Sequence, residues 1–505
     1  MTRRRKRRTL GVVALAAGAV LATACSSDDG GSDESSSENS SRSGAGARAV
    51  TVTGPIEGGT YGVAYNTMPV DFAGEYGYSE EEFFVEGEAT SYKPIAPLSE
   101  DGEWQVEPDG TAPYKTRIIV RRPVDPDAFN GVAVIEWLNV TSGRDADPDF
   151  GFFYPEIFEG GYAYVGVSAQ ATGVEGGGAV LDIPGVPAVA LAPLKDWDNE
   201  RYGSLDHPGD EYSYDVYTQI AQLIEAGGEN DPLGGLQPEY VLGVGESQSA
   251  GRLVTYVNAV QPLANGYDGI LIHSRGDSGA ALSTAPDDAP PDVVAIRTDL
   301  SAPVLQFETE TDLLRLGFLA ARQPDTETVR TWEVAGTAHA DSDTLAYGQA
   351  SGQVWYDGPR VDFRPLCGLE NTGQQAPVSR AALEALRAWT VDETLPSTSS
   401  RIETTSDDIV VDEFGNAVGG IRTPSVDAPV STLTGKGNEV SIFCSLFGQT
   451  TPFTPEQLAS LYPTHADYVD EVTASADAAA DAGFLLPADR DVIVEEAEAA
   501  NVPPR

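Results

Sequence analysis

Six short apolar runs downstream of Gly131 constrain this chain more than any other feature. They are residues 132–137 (VAVIEW), 162–167 (YAYVGV), 240–244 (YVLGV), 269–272 (GILI), 303–307 (PVLQF) and 329–334 (VRTWEV), and several are separated by segments with helical spacing. A strand covered by helices on both faces of its sheet loses the in-out alternation of a half-exposed strand and reads as continuously apolar. The pattern therefore predicts an α/β protein with a mostly parallel central sheet and helices on both faces. Residues 50–122 differ: they alternate apolar and polar side chains between Gly and Pro breaks, as in Thr116-Arg117-Ile118-Ile119-Val120-Arg121, and predict N-terminal antiparallel strands. Self-similarity at a period of about 20 to 50 residues is not evident, which excludes a repeat architecture.

The third run leads into Gly245-Glu246-Ser247-Gln248-Ser249, followed by spaced apolar residues Leu253, Val254, Val257 and Val260. A strand, a sharp turn carrying a serine and a helix make a nucleophile elbow, which holds a hydroxyl clear of its own backbone and beside N–H donors. Gly245 and Ser249 fill the two positions where a large side chain would block the close passage of helix and strand. A plain helix N-cap at Ser247 is the competing reading. An elbow serine on such a sheet needs an acid and then a histidine later in the chain, at the ends of following strands. Residues 303–307 are followed by Glu308-Thr309-Glu310-Thr311-Asp312, and residues 329–334 by Ala335-Gly336-Thr337-Ala338-His339-Ala340-Asp341. His339 is the candidate base and Asp312 the candidate acid. Thr309 stands where a glycine is usual in the acid turn, which keeps Glu310 as an alternative. For the oxyanion, the expected backbone donors are Gln248 and either Leu138 or Asn139, after the first parallel strand. His207 is in the wrong order for the base and is read as a pocket-lining or loop residue, while His273 is read as buried packing. Residues 182–197, rich in Pro, Ala, Val and Leu, form a lid, a pocket wall or a packed insertion. Residues 379–389 have helical spacing, and 466–501 read as a polar, Ala-rich helical tail.

Residues 1–24 carry six basic side chains ahead of an apolar stretch too short to span a bilayer, the pattern of an export signal. Leu21-Ala22-Thr23-Ala24-Cys25 is similar to the lipobox of bacterial lipoproteins, which implies lipidation at Cys25 and a place on the outer face of the cytoplasmic membrane or in the cell envelope. Plain secretion is the alternative. Residues 25–49 are almost free of large apolar side chains and read as a tether too polar to order itself. The body, 50–505, is expected to be one domain with insertions. The chain carries a formal charge of −47, which excludes nucleic-acid backbone binding and leaves neutral or cationic small molecules as partners. Cys367 and Cys444 form an even pair in an exported chain, so a disulfide is expected. The four histidines are too scattered to read as a metal site, and neither metal nor organic cofactor is expected.

With these residues in view, the chain resembles the α/β-hydrolase superfamily, and more narrowly a family of exported bacterial and fungal α/β-hydrolase domain proteins. The matching stretches are Val134-Ile135-Glu136-Trp137-Leu138-Asn139-Val140, residues 203–210 (GSLDHPGD), Gly245-Glu246-Ser247-Gln248-Ser249, residues 308–312, residues 336–341 and Gly419-Gly420-Ile421-Arg422-Thr423-Pro424. In that family G-x-S-x-S is the usual elbow. The resemblance implies hydrolase chemistry at Ser247 and His339 but supplies no substrate; a carboxylic ester is the expected substrate class. A non-catalytic envelope binding protein and a serine peptidase or amidase are the rival expectations. Replacing Cys25 by Ala should abolish incorporation of labelled fatty acid in a bacterial host and release the protein into the medium; unchanged labelling would remove the lipoprotein reading.

Overall fold

The computed structural model describes residues 50–504, apart from residues 69, 71, 229, 357–359 and 407. The expected export signal, Cys25 and the tether lie outside the described residues. Among those described, no helix is long and apolar enough to cross a membrane.

Nine strands form one sheet: β1 (Thr51–Thr53), β2 (Tyr78–Pro94), β3 (Val106–Pro123), β4 (Val132–Trp137), β5 (Ala163–Val167), β6 (Tyr240–Glu246), β7 (Gly269–His273), β8 (Val304–Thr309) and β9 (Val329–Val334). Their spatial order is β1-β2-β3-β5-β4-β6-β7-β8-β9. The β1, β2, β3 and β5 pairings are antiparallel, and every pairing from β5 through β4 to β9 is parallel. The six apolar runs are thus the six parallel strands. Residues of β4, β5, β7 and β8 are buried throughout, as strands sandwiched between helix layers must be.

Two apolar layers cover the sheet. One face packs the helix Ser213–Ala226, the elbow helix Gln248–Thr255 and the helical segment Tyr256–Val260 that continues it, through Tyr217, Ile220, Leu253 and Val257, against Ile135, Val165 and Ile270. The other packs the helices Pro148–Gly160 and Gln375–Asp392, through Phe153, Ile157, Leu383 and Leu386, against Val134, Leu242 and Leu305. The C-terminal tail is two helices, His465–Asp481 and Pro487–Ala499, broken at Gly483 (φ 80°), whose left-handed backbone suits glycine.

The long β2–β3 hairpin is the sheet's antiparallel end, and its shared face carries charge. Arg117 and Glu82 are fully buried and bonded at 2.7 Å, and Arg201 and Tyr202 reach the same carboxylate. Arg121 bridges Glu80 at 2.8 Å and Asp147 at 2.9 Å. This network anchors the segment around Arg201 and the end of the β4 loop to the hairpin. Cys367 and Cys444 form the expected disulfide, which joins the short helices Arg364–Cys367 and Ile442–Ser445. The loop at 419–424 lies along the edge of β9: Ile421 donates to Glu333 O at 2.7 Å and accepts from Ala335 N at 3.0 Å. It props the strand that delivers His339.

Removing one member of a buried ion pair strands the other, at a cost of about 3–5 kcal/mol, whereas an exposed pair contributes about 0–1 kcal/mol. Arg117→Met should therefore lower the urea midpoint strongly, while Lys93→Met, whose partner Asp109 lies 3.0 Å away with both side chains about half exposed, should barely move it. Equal midpoints for the two variants would contradict this assignment.

Candidate active site

Ser247 occupies the turn between β6 and the helix Gln248–Thr255 with φ 62° and ψ −116°, a left-handed backbone that is strained for a non-glycine residue. Its N–H donates to the carbonyl of His273 at the end of β7, at 2.9 Å. The tight packing beneath the turn explains its small neighbours. A Cβ on Gly245 would stand 3.0 Å from Leu253 Cδ1 and 3.2 Å from Ser249 Cβ. Ser247 stands at the N-cap position, yet its side chain makes no capping bond. The hydroxyl is instead 2.8 Å from His339 Nε2.

His339 sits on the turn after β9, and its Nδ1 is 2.7 Å from Asp312 Oδ1. The structure thus brings together Ser247, His339 and Asp312, three side chains from the carboxyl ends of three parallel strands. Asp312 is oriented by its other oxygen: Oδ2 accepts from both the N–H and the hydroxyl of Thr309, each at 2.7 Å, in a capping box that opens the helix Glu310–Leu314. Thr309, a departure from the usual glycine, is therefore the residue that aims the carboxylate. Glu310, the alternative acid, is not bonded to the imidazole. Its buried carboxylate accepts from Gly336 N at 2.7 Å and Gly435 N at 2.8 Å, and so holds the histidine turn in shape. Thr311 adds a further tie, its hydroxyl accepting from His339 N at 3.2 Å and donating to Gly435 O at 2.7 Å.

A second carboxylate reaches the same imidazole. Glu246 Oε1 lies 3.2 Å from His339 Nε2, and Glu246 O accepts from Asn139 Nδ2 at 3.1 Å. Burial pushes Glu246 up to about 7, against the pull of His339 and His273. Burial alone would lower His339, but the charges of Glu246 and Asp312, with the Asp312 hydrogen bond, outweigh it and raise the imidazole to about 9. Sequence reasoning passed over Glu246 because a carboxylate beside an elbow serine has no distinctive spacing.

The expected oxyanion donors after β4 need correction. Leu138 N donates to Val167 O at 3.2 Å, and Asn139 N donates to Ala146 O at 2.8 Å, so both N–H groups are already taken. Asn139 acts through its side chain, which bonds the elbow backbone. Gln248 does begin the elbow helix, where a first-turn N–H has no intrahelical acceptor. His207 is buried, with Nε2 2.9 Å from Ala169 O and Nδ1 accepting from Gly209 N at 3.3 Å; burial lowers its pKa and the ring organises a loop. His273 is buried as expected but is also bonded through Nδ1 to Asp149 at 2.7 Å. Among the described residues, no group of three or more His, Cys, Asp or Glu side chains could hold a metal ion.

Residues 182–197 form a wall. Ile183, Val186, Ala190 and Leu191 line a cavity of about 200 Å³ together with the helix Ser342–Trp355 and the turn containing Phe443 and Phe447.

Comparison with solved structures returns hydrolases at low similarity. A glucuronoyl esterase from Solibacter usitatus is 10% identical, covering 61% of this chain and 86% of its own, with a TM-score of 0.28. One of two fungal esterases from Rhizomucor miehei is 10% identical over 61% of this chain and 85% of its own, with a TM-score of 0.30. An alpha-beta serine hydrolase homologue from Coxiella burnetii is 10% identical over 45% of this chain and 84% of its own, with a TM-score of 0.26. None of the curated proteins matches this sequence. A family model described as an alpha/beta hydrolase domain spans residues 52–495, from β1 to the last helix, and the chain belongs to that family.

Proposed function

We propose that this protein is a serine hydrolase that cleaves carboxylic esters, with Ser247 as nucleophile, His339 as general base and acid, and Asp312 as the orienting carboxylate. The observation that carries this reading is the unbroken chain of short contacts from Ser247 Oγ through His339 to Asp312, at 2.8 and 2.7 Å. A serine hydroxyl is unreactive at neutral pH unless a base takes its proton during attack. In the proposed reaction Oγ attacks the ester carbonyl carbon while its proton passes to His339 Nε2. Asp312 accepts the Nδ1 proton in a hydrogen bond, keeps the ring in the correct tautomer and stabilises the imidazolium. The tetrahedral oxyanion takes a hydrogen bond from Gln248 N–H, one donor of this kind contributing about 3 to 4 kcal/mol where it has been measured. Collapse expels the alcohol with the proton from His339. Water, deprotonated by the same imidazole, then releases the acid from Ser247. We place this chemistry outside the cytoplasm, with the body tethered through lipidated Cys25.

Ser247→Ala should abolish labelling by a fluorophosphonate probe and lower ester turnover by about 10⁴-fold or more, with no change in the unfolding midpoint. A folded wild-type protein that neither labels nor cleaves esters would overturn the proposal, and faster cleavage of matched amides would move it to a peptidase or amidase.

The raised imidazole gives a second test. His339 must be neutral to take the proton, so a pKa near 9 means that kcat/KM climbs with pH from about 7 toward 9 and levels above it. Glu246→Gln removes one of the charges that hold the proton on, so the acid limb should move down toward the ordinary value of 6.5. A pH profile identical to wild type would show that Glu246 does not act on the imidazole.

A further inference from the structure

The cavity of about 200 Å³ stands at the same sheet edge as Ser247, and six of its lining residues are aromatic: Tyr347, Trp355, Tyr356, Phe363, Phe443 and Phe447. Its walls leave the carboxyl ends of strands: Ala146 follows β4, residues 183–191 follow β5, and Leu345 to Phe363 follow β9. Ligands of open α/β sheets bind at that edge. Hydrogen bonds link the cavity wall to the site from two directions. Ala146, in its wall, exchanges two backbone hydrogen bonds of 2.8 Å with Asn139, whose side chain bonds the carbonyl of Glu246, beside the nucleophile. Ala340, next to His339, donates to Leu446 O at 3.0 Å, between Phe443 and Phe447.

One cation faces this apolar space. Arg144 lies with its guanidinium carbon 5.5 Å from the Trp355 ring centre. Its Nη1 donates to Asp145 O at 2.8 Å and Asn66 Oδ1 at 3.3 Å, but its buried Nε has no partner among the described residues. Asp147, also in the wall, is engaged by Arg121 at 2.9 Å and by Tyr347 at 2.8 Å, and the buried carboxylate that feels the charge of Arg144 is Asp145. The Arg144 guanidinium lines the cavity, where a ligand oxygen can add a charge-assisted hydrogen bond.

We infer that this cavity receives one arm of the ester, and that this arm is a single aromatic ring carrying an oxygen acceptor that meets Arg144. The inference rests on the serine-hydrolase reading above for the identity of the ligand as an ester. Size sets the limit: an apolar cavity of about 150 Å³ accommodates benzene, so this one takes a substituted phenyl group and cannot enclose a palmitoyl chain. The rings favour an aromatic guest, since offset and edge contacts add about 0.5–1.5 kcal/mol each beyond burial.

Gly348 provides a clean way to fill the space. It lines the cavity within the helix Ser342–Trp355, and a Cβ built on it meets nothing within 4 Å. Gly348→Phe therefore adds a ring without a backbone clash. Wild type should cleave methyl 3-(4-hydroxyphenyl)propanoate, or the reversed ester 2-(4-hydroxyphenyl)ethyl acetate, faster than methyl hexanoate or methyl palmitate; the better aryl ester identifies the arm. In Gly348→Phe, kcat/KM for that ester should fall about tenfold or more, and by a larger factor than kcat/KM for methyl acetate. Arg144→Met should erase the preference for the hydroxyphenyl ester over its phenyl counterpart. A preference for palmitate, an equal loss on methyl acetate, or an unchanged preference in Arg144→Met would each overturn the inference. Calorimetry separates this from the catalytic reading. The uncleaved aryl ester should bind Ser247→Ala and bind the Ser247→Ala/Gly348→Phe variant about tenfold or more weakly, even if the wild type hydrolyses nothing and the serine-hydrolase reading falls; equal binding to both would overturn the cavity assignment.

Discussion

Asp312 divides its two carboxylate oxygens between structure and site, and the geometry around Ser247 depends on that division. Oδ2 closes the capping box with Thr309, which fixes where the helix Glu310–Leu314 begins, and Oδ1 meets His339 Nδ1 at 2.7 Å. A carboxylate locked by its own helix cap cannot swing, so the imidazole that pairs with it is held with Nε2 toward the serine. The arrangement is buried, and low polarisability around the pair strengthens the contact while making any unpaired member costly. The hydrogen bonds from Gly336 and Gly435 to Glu310, and from His339 to Thr311, bring two loops onto the same short helix. One four-residue stretch at the end of β8, Thr309 to Asp312, therefore organises the acid, the histidine turn and the segment near Gly435 together.

Strain and support meet in the same way at Ser247. The turn adopts a backbone that a serine would not choose, and it is held there by Gly245 and Ser249 below, by the His273 carbonyl beside it and by Asn139 on the preceding carbonyl. Glu246 is drawn into the site by the same turn. Its carboxylate faces His339 from the side opposite Asp312, so the imidazole lies between two acids, and behind Glu246 stands the buried His273–Asp149 pair.

The parallel strands were legible from residues alone because burial on both faces leaves unbroken apolar runs, and their ends fell within a few residues of the observed bounds. The order of serine, acid and histidine was legible for the same reason: each follows a run. The N-terminal hairpin was legible as antiparallel but not in its length, since β2 and β3 carry Pro, Gly and buried charge, and their register shifts between Thr90 and Tyr92. What escaped was decided by backbone partners from distant segments. Leu138 and Asn139 look like donors until β5 and Ala146 take their N–H groups. Glu310 looks like an acid until Gly336 and Gly435 are seen to hold it. Glu246 looks like one more charge in an acidic chain until folding turns it onto the histidine.

The bond between Cys367 and Cys444 closes a stretch of 77 residues and ties the turn bearing Phe363 to the one bearing Phe443 and Phe447. Those rings belong to the cavity, and Leu446 beside them receives the N–H next to His339. The disulfide thus joins two parts of the wall of that cavity. A newly made polypeptide with both thiols still reduced would carry Ser247, His339 and Asp312 and yet have an unstapled cavity wall, so completing this fold takes an oxidant as well as a chain.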